Sequence, residues 1–213
     1  MNKRIHIDFW GDIACPWCFI GKRRLLAATE GRDDVDVTFH AFQLQPQRGP
    51  EPESAEVYLA KRFGGAERVK AMHARLQEAA RPDGIEFKFE GQQITNTRLA
   101  HRIVAIAQKR GQAAAAAEAL YRGQFLEGLN VGDLEVALGL LKRHGVPLAV
   151  EEVRAALDAG EGNEEVDRDL LLAARHGISG VPFVIANDSV AMEGAQPLEQ
   201  VREFLKYVEE HPA

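Results

Sequence analysis

Two cysteines stand three residues apart in the run Ala14-Cys15-Pro16-Trp17-Cys18-Phe19, and the 213-residue chain holds no others. A pair at this spacing can exchange thiols for a disulfide, supply half of a metal site, or sit inert in a core. If Cys15 begins a helix, its sulfur faces unpaired N–H groups and the positive end of the helix dipole, which favour thiolate over thiol. Pro16 suits that placement, because a helix's first turn has no use for the missing N–H. Cys18 returns to nearly the same face, deeper and less exposed. This spacing gives attack to Cys15 and resolution to Cys18, through a mixed disulfide with the substrate. Trp17, exposed between them, offers an aromatic surface to a hydrophobic substrate.

The competing chemistries find little support in the rest of the chain. No other cysteines exist, and the seven histidines include no closely spaced pair, so the second half of a zinc site is missing and no metal is expected. Lys3 and Arg4 followed by Ile5, Ile7 and Phe9 imitate an export signal, but Asp8 and Asp12 interrupt an apolar run that would need about 7 to 15 residues. Nothing later approaches a membrane span of about 20 apolar residues. A cytoplasmic protein is expected. In that reducing compartment a cysteine pair is seldom a staple, and a bridge closing so short a loop would constrain the chain little. The net charge is -6, with basic and acidic residues interleaved, which argues against nucleic acid or a membrane as partner. Hydrophobic residues make up 46%, enough for an ordinary folded core.

The elements that would position the cysteines follow from periodicity. Residues 3–10 alternate through Ile5, Ile7 and Phe9 as a strand, residues 15–30 take helical spacing, and residues 35–42 alternate again through Val35, Val37 and Phe39. Together they make a βαβ unit long enough for a right-handed parallel crossover. Residues 43–54, rich in Pro and Glu, read as a linker. From about 54 to 160 the pattern is almost wholly helical, with glycine and proline breaks and with Asn96 and Asp133 where N-caps would stand. The run Ala113 to Ala117 is strong helix former rather than low complexity. A helix near 164–176, strands over 181–186 and 189–193 joined by Asn187-Asp188, and a helix over 197–210 complete the chain.

Strand-helix-strand at one end and helix-strand-strand-helix at the other form the thioredoxin arrangement. The expected fold is α/β and thioredoxin-like, a discontinuous domain over 1–53 and 161–213 with an all-helical insertion domain over 54–160. The groove between them is the natural substrate site. Gly180-Val181-Pro182-Phe183-Val184 opens the late hairpin. Gly145-Val146-Pro147 repeats its tripeptide but opens a helical stretch and reads as an interhelical turn. In thioredoxin folds a cis-proline at the position of Pro182 faces the active-site helix, which would leave the Val181 backbone free to pair with an extended substrate segment.

These residues resemble the FrnE-like branch of the DsbA family. The resemblance rests on Trp10 to Gly21 (WGDIACPWCFIG), Phe42 to Pro46 (FQLQP), Asn96-Thr97 with Ala100-His101-Arg102, Phe125 to Gly128 (FLEG), Gly180 to Val184, and Gly194-Ala195-Gln196, in order over nearly the whole chain. It implies a thioredoxin domain with a helical insertion, exchange of protein or small-molecule disulfides, and a cis bond at Pro182. Some members are described as disulfide isomerases. The single cysteine pair excludes an internal relay between two pairs. The family blocks suggest that Asn96 and His101 line the groove, although an N-cap and a structural histidine are the plainer readings. Asp12, three positions before Cys15, could assist proton transfer, but a like charge raises a thiol's pKa, and a turn or capping role is favoured.

No obligatory cofactor is implied beyond a redox-active Cys15–Cys18 disulfide, with glutathione as a redox partner. The partners expected are a disulfide- or thiol-containing protein or small molecule and a cellular thiol reductant or oxidant. Two other classes share features. Kappa-class glutathione transferases and 2-hydroxychromene-2-carboxylate isomerases resemble this architecture, but a serine commonly stands where Cys15 stands here. A non-catalytic, chaperone-like binding role is the third.

Overall fold

A computed structural model describes residues 4–211. Lys3, the first residue of the expected strand, and the outermost residues of the expected discontinuous domain lie outside the described residues. Strand β1 (Ile5–Gly11), helix α1 (Pro16–Ala28) and strand β2 (Val35–Ala41) form the anticipated unit. β1 and β2 run parallel with Phe9 opposite Phe39.

Between the halves come β3 (Glu53–Ser54), α2 (Ala55–Phe63), α3 (Ala66–Ala80), β4 (Gln93–Ile94), α4 (Arg98–Gln108), α5 (Ala113–Arg122), α6 (Leu134–Arg143) and α7 (Val150–Asp158). α5 continues into a π-helical turn over Gly123–Glu127. The chain then forms α8 (Asn163–Arg175), β5 (Phe183–Ala186), β6 (Val190–Glu193) and α9 (Leu198–Glu210). The main sheet has the order β2-β1-β5-β6, and its two later pairings are antiparallel. Asn187 and Asp188 take left-handed φ values of 48° and 55°, the conformation a tight hairpin turn demands of these residue types.

One apolar cluster runs from Ile7 and Phe9 of the sheet through Phe19 and Ile20 of α1 to Ile103, Leu120 and Leu138 of the inserted helices. Charged side chains reinforce this join. Lys22 is buried and bonds Glu118 at 2.8 Å, while Arg23 holds the other oxygen of the same carboxylate at 2.6 Å. Arg24, also buried, bonds the Asp83 carboxylate and the carbonyls of Ala79 and Ala195. α1 therefore packs on several sides, with its basic residues paired rather than solvated. Among the described residues no helix is long and apolar enough to cross a membrane.

Two segments differ from the sequence reading. Residues 43–54 are largely exposed, as a linker would be, but their start is tied down: the Leu44 N–H donates to Asp12 Oδ2 at 2.7 Å, and buried Gln43 donates to Asn96 Oδ1 at 3.0 Å. Prolines remove donors there, and of those that remain the Leu44 N–H meets buried Asp12 and the Arg48 N–H the Gln45 carbonyl. Residues 84–97 form no helix, so the insertion is not helical throughout. Ile85, Phe87 and Phe89 alternate, and the Phe87 N–H and Ile85 C=O are bonded by the Gln77 side chain, both at 2.9 Å. A short period-two pattern among long helical ones was the missed signal.

On the outer edge, β2 is tied to α8 by a buried charge network. His40 Nε2 donates to Asp8 Oδ1 at 2.6 Å and Nδ1 to Asp169 Oδ1 at 2.9 Å, while the ring stacks on Trp10 at 4.5 Å. Burial alone would push the His40 imidazolium down, but the hydrogen bonds and charges of Asp169 and Asp8 outweigh it and raise its pKa to about 9. A folded value above the ordinary 6.5 means that this contribution is complete below about pH 6.5 and is lost as pH rises towards 9. Unfolding free energy measured by urea titration should fall over that interval by no more than about 3 kcal/mol. The fall should be absent in His40→Gln, and an equal fall there would rule out the imidazolium as its source.

Candidate active site

Cys15 is the N-cap of α1, and Pro16 is its first residue. The Cys15 N–H donates to the Asp12 carbonyl at 2.9 Å, and the Cys15 carbonyl accepts from the Cys18 N–H at 3.0 Å. The Cys15 thiol is 5% exposed and donates to the Val181 carbonyl at 3.6 Å; Cys18 is fully buried behind it. Both cysteines are unbridged. Burial pushes the Cys18 thiol well up, and Cys15 beside it adds to the rise. The two sulfurs thus differ in access, and burial makes Cys18 costly to ionise.

The Val181–Pro182 peptide is cis. Pro182 packs against α1 at Gly21, where an added Cβ would lie 2.9 Å from the proline Cγ. Glycine at this position lets the helix approach the proline. Gly11 plays the same part at the end of β1, where an added Cβ would lie 2.8 Å from the Phe9 ring and 3.1 Å from the Tyr121 hydroxyl. That hydroxyl donates to the Asp12 carbonyl at 3.2 Å. Burial raises the Tyr121 pKa well above the ordinary value, and the neighbouring cysteines and Asp12 add to it, so the phenol stays protonated. No sequence motif marks Tyr121, which follows the alanine run in α5. Its closeness to the cysteines depends on how α5 packs, which no local pattern encodes.

Asp12 is buried and occupied. Its Oδ1 accepts from the Ala14 N–H at 3.1 Å and lies 3.3 Å from His101 Nε2, while Oδ2 accepts from the Leu44 N–H. The turn role fits this geometry. His101 and Asn96 do not line the main cavity beside Cys15, contrary to the groove placement. His101 instead pairs with Asp12 in the interior. Thr97 occupies the cap position of α4, and Asn96 Oδ1 accepts from the Arg98 N–H at 2.8 Å while its Nδ2 donates to the Arg48 carbonyl at 2.7 Å. The family blocks suggest the groove for both side chains, but the geometry matches the plainer readings, a structural histidine at His101 and a capping role for Asn96.

The cavity of about 470 Å³ opens beside Cys15 between α1 and the α2–α3 pair. Cys15, Pro16 and Trp17 form one side, and Trp17 is 41% exposed. Leu59 and Phe63 of α2, Met72 and Leu76 of α3, and Phe89 and Phe125 form much of the rest. Val181 and Pro182 belong to a separate surface depression with Gly177, Glu193 and Gly194. Cys15 is thus bordered by the cavity on one side and by the Val181 backbone on the other. Among the described residues no three His, Cys, Asp or Glu side chains gather in a metal-holding group.

A thioredoxin-like sheet with a helical insertion, carrying two cysteines at the start of its first helix, defines the class of this protein. The family model for the DSBA-like thioredoxin domain matches residues 6–206, and the chain belongs to that family. A probable DsbA oxidoreductase from Streptomyces coelicolor is similar in structure, with 30% identity, a TM-score of 0.89, and coverage of 99% of this chain and 92% of that one. The uncharacterized protein YwbO of Bacillus subtilis (strain 168) is 25% identical over 189 residues, covering 87% of this chain and 88% of its own. The cytosolic disulfide reductase DsbM from Pseudomonas aeruginosa with GSH shares the fold at 19% identity and a TM-score of 0.70, covering 97% of this chain and 100% of that one.

Limited alkylation of the reduced native protein with iodoacetamide should modify Cys15 at least about tenfold faster than Cys18, because Cys18 is fully buried and its burial disfavours the thiolate. Peptide mass mapping reads that ratio. Equal rates in the folded state would contradict the burial of Cys18.

Proposed function

We propose that the protein is a thiol/disulfide oxidoreductase in which Cys15 attacks and Cys18 resolves. The observation that carries this reading is the asymmetry of the pair: Cys15 caps a helix beside an open cavity, and Cys18 lies fully buried within reach behind it. The Cys15 thiolate attacks one sulfur of a substrate disulfide, forming a mixed disulfide and releasing the first substrate thiolate, which takes a proton from solvent. Cys18 then gives up its proton and attacks the Cys15 sulfur, forming the Cys15–Cys18 disulfide and releasing the second substrate thiol. Two protein thiols are oxidised and one substrate disulfide is reduced. A cellular thiol reductant restores the dithiol, and the reverse sequence oxidises a substrate with the same groups.

The high cost of ionising Cys18 favours this order, because a buried thiol gains by ionising only as it forms a bond. Pro16 and Trp17 supply the substrate-facing edge between the cysteines, and Val181 and Pro182 the opposite one. The division into a discontinuous domain over 1–53 and 161–213 and an insertion over 54–160 accords with this use, since the cavity lies where the two meet. A glutathione-bound structure of the cytosolic reductase DsbM on the same fold supports glutathione as a redox partner and a cytoplasmic setting.

Reduction of oxidised hydroxyethyl disulfide by the prereduced protein, followed as released thiol, should vanish in Cys15→Ser. Cys18→Ala should still react once and then accumulate a mixed disulfide on Cys15, visible as an added substrate mass in intact-protein spectra. Full activity of Cys15→Ser would overturn the assignment.

A further inference from the structure

The cavity beside Cys15 has an uneven chemistry. Leu59, Phe63, Leu76 and Phe89 give it apolar walls, and neither aspartate nor glutamate is among its lining residues. The chain as a whole has 32 acidic against 26 basic residues, so a wall without carboxylates departs from its general surface. Arg62 and Arg75 line the same cavity. The Arg62 guanidinium donates to the Tyr58 hydroxyl at 3.2 Å and lies 5.8 Å from the Phe63 ring centroid. Among the described residues neither arginine has a carboxylate at ion-pair distance. His73, the other basic lining residue, stacks on Phe89 at 3.9 Å, and burial holds its pKa below the usual value, so the two guanidiniums carry the positive charge.

The volume of about 470 Å³ is that of a small-molecule site rather than of a protein footprint. The slight exposure of Cys15 points the same way, because the sulfur is reached from within the cavity. We infer that the cavity takes a low-molecular-weight disulfide or thiol with an apolar body next to its sulfur and a carboxylate at its far end. The body lies against Leu59, Phe63, Leu76 and Phe89, and the carboxylate meets Arg62 and Arg75. This rests on the reading of Cys15 as the attacking thiol. Glutathione can enter as a redox partner and offer its carboxylates to the arginines, but it is a poorer match than such a ligand, because its amides and ammonium would lose water against the apolar walls without gaining partners. An apolar polypeptide segment would fill the walls but bring no carboxylate to the arginines.

The test is a single-turnover series on the prereduced protein, with the disulfides of mercaptoacetic, mercaptobutyric and mercaptohexanoic acids. The disulfide of mercaptohexanol is the neutral match, and oxidised glutathione, a cystine-containing unfolded polypeptide and hydroxyethyl disulfide are the comparisons. Thiol release needs no added reductant, since the Cys15–Cys18 dithiol supplies both electrons. The second-order rate should rise about fourfold for each added methylene, the gain expected from burying that group. The ratio of hexanoic acid to hexanol rates should fall about fivefold in the double variant Arg62→Gln, Arg75→Gln, whose exposed side chains are outside the core. Leu59→Trp, which fills the cavity, should flatten the chain-length dependence. A flat series, a preference for oxidised glutathione, or faster reduction of the unfolded polypeptide would overturn the inference. Cys15-dependent reduction of hydroxyethyl disulfide shows whether the thiol chemistry survives, so failure of the specificity is distinguishable from failure of the function.

Discussion

The buried carboxylate of Asp12 is the constraint on which the site depends. A charge removed from water must be repaid by hydrogen bonds. Asp12 finds them in the turn before α1 through Ala14 and in the loop after β2 through Leu44, and His101 of α4 lies beside it. Its own carbonyl collects the Cys15 N–H and the Tyr121 hydroxyl. Elements far apart in sequence thus converge on the residue that sets where α1 begins. The position of Cys15 follows from that convergence rather than from the helix alone.

Around this anchor, α1 separates two environments. Its inner face carries Cys18, Phe19 and Ile20 into the shared core, and Phe19 lies parallel to the Tyr121 ring at 5.3 Å. Its N-terminal edge carries Cys15, Pro16 and Trp17 to the cavity. The three basic residues that follow are spent on holding the helix to α5, to the end of α3 and to the loop after β6. Such pairs fix geometry more than they add stability, because desolvation offsets most of their Coulomb attraction. A helix held by these pairs keeps its N-terminal sulfur in register with Val181, which lies on a different part of the chain.

Much of this was legible in the sequence. The main sheet strands and the cysteine pair carry strong local signals: alternation at Ile5, Ile7 and Phe9, proline after Cys15, and Asn187-Asp188 at a tight turn. The unread parts depended on tertiary partners. The alternation of Ile85, Phe87 and Phe89 was too short to stand out among helices, and its backbone is completed by Gln77 from α3. Tyr121 reached the site because Gly11 leaves room for it, a relation across 110 residues of sequence. His101 was readable as a structural histidine, but its partner, the buried Asp12 at a distance of 89 residues, was not.

The helices α2 and α3 form the outer wall of the cavity while burying little of themselves. Ala55 is the one buried residue of α2, and α3 contributes Val69, Leu76 and Ala80. Two consecutive glycines with positive φ, Gly64 and Gly65, join them. Few buried contacts mean a low local cost of change. The cavity wall and the core that holds the sulfurs are therefore separable in evolution: substitutions or altered length in this helical pair can reshape the cavity while the cysteine pair and its supports are inherited intact.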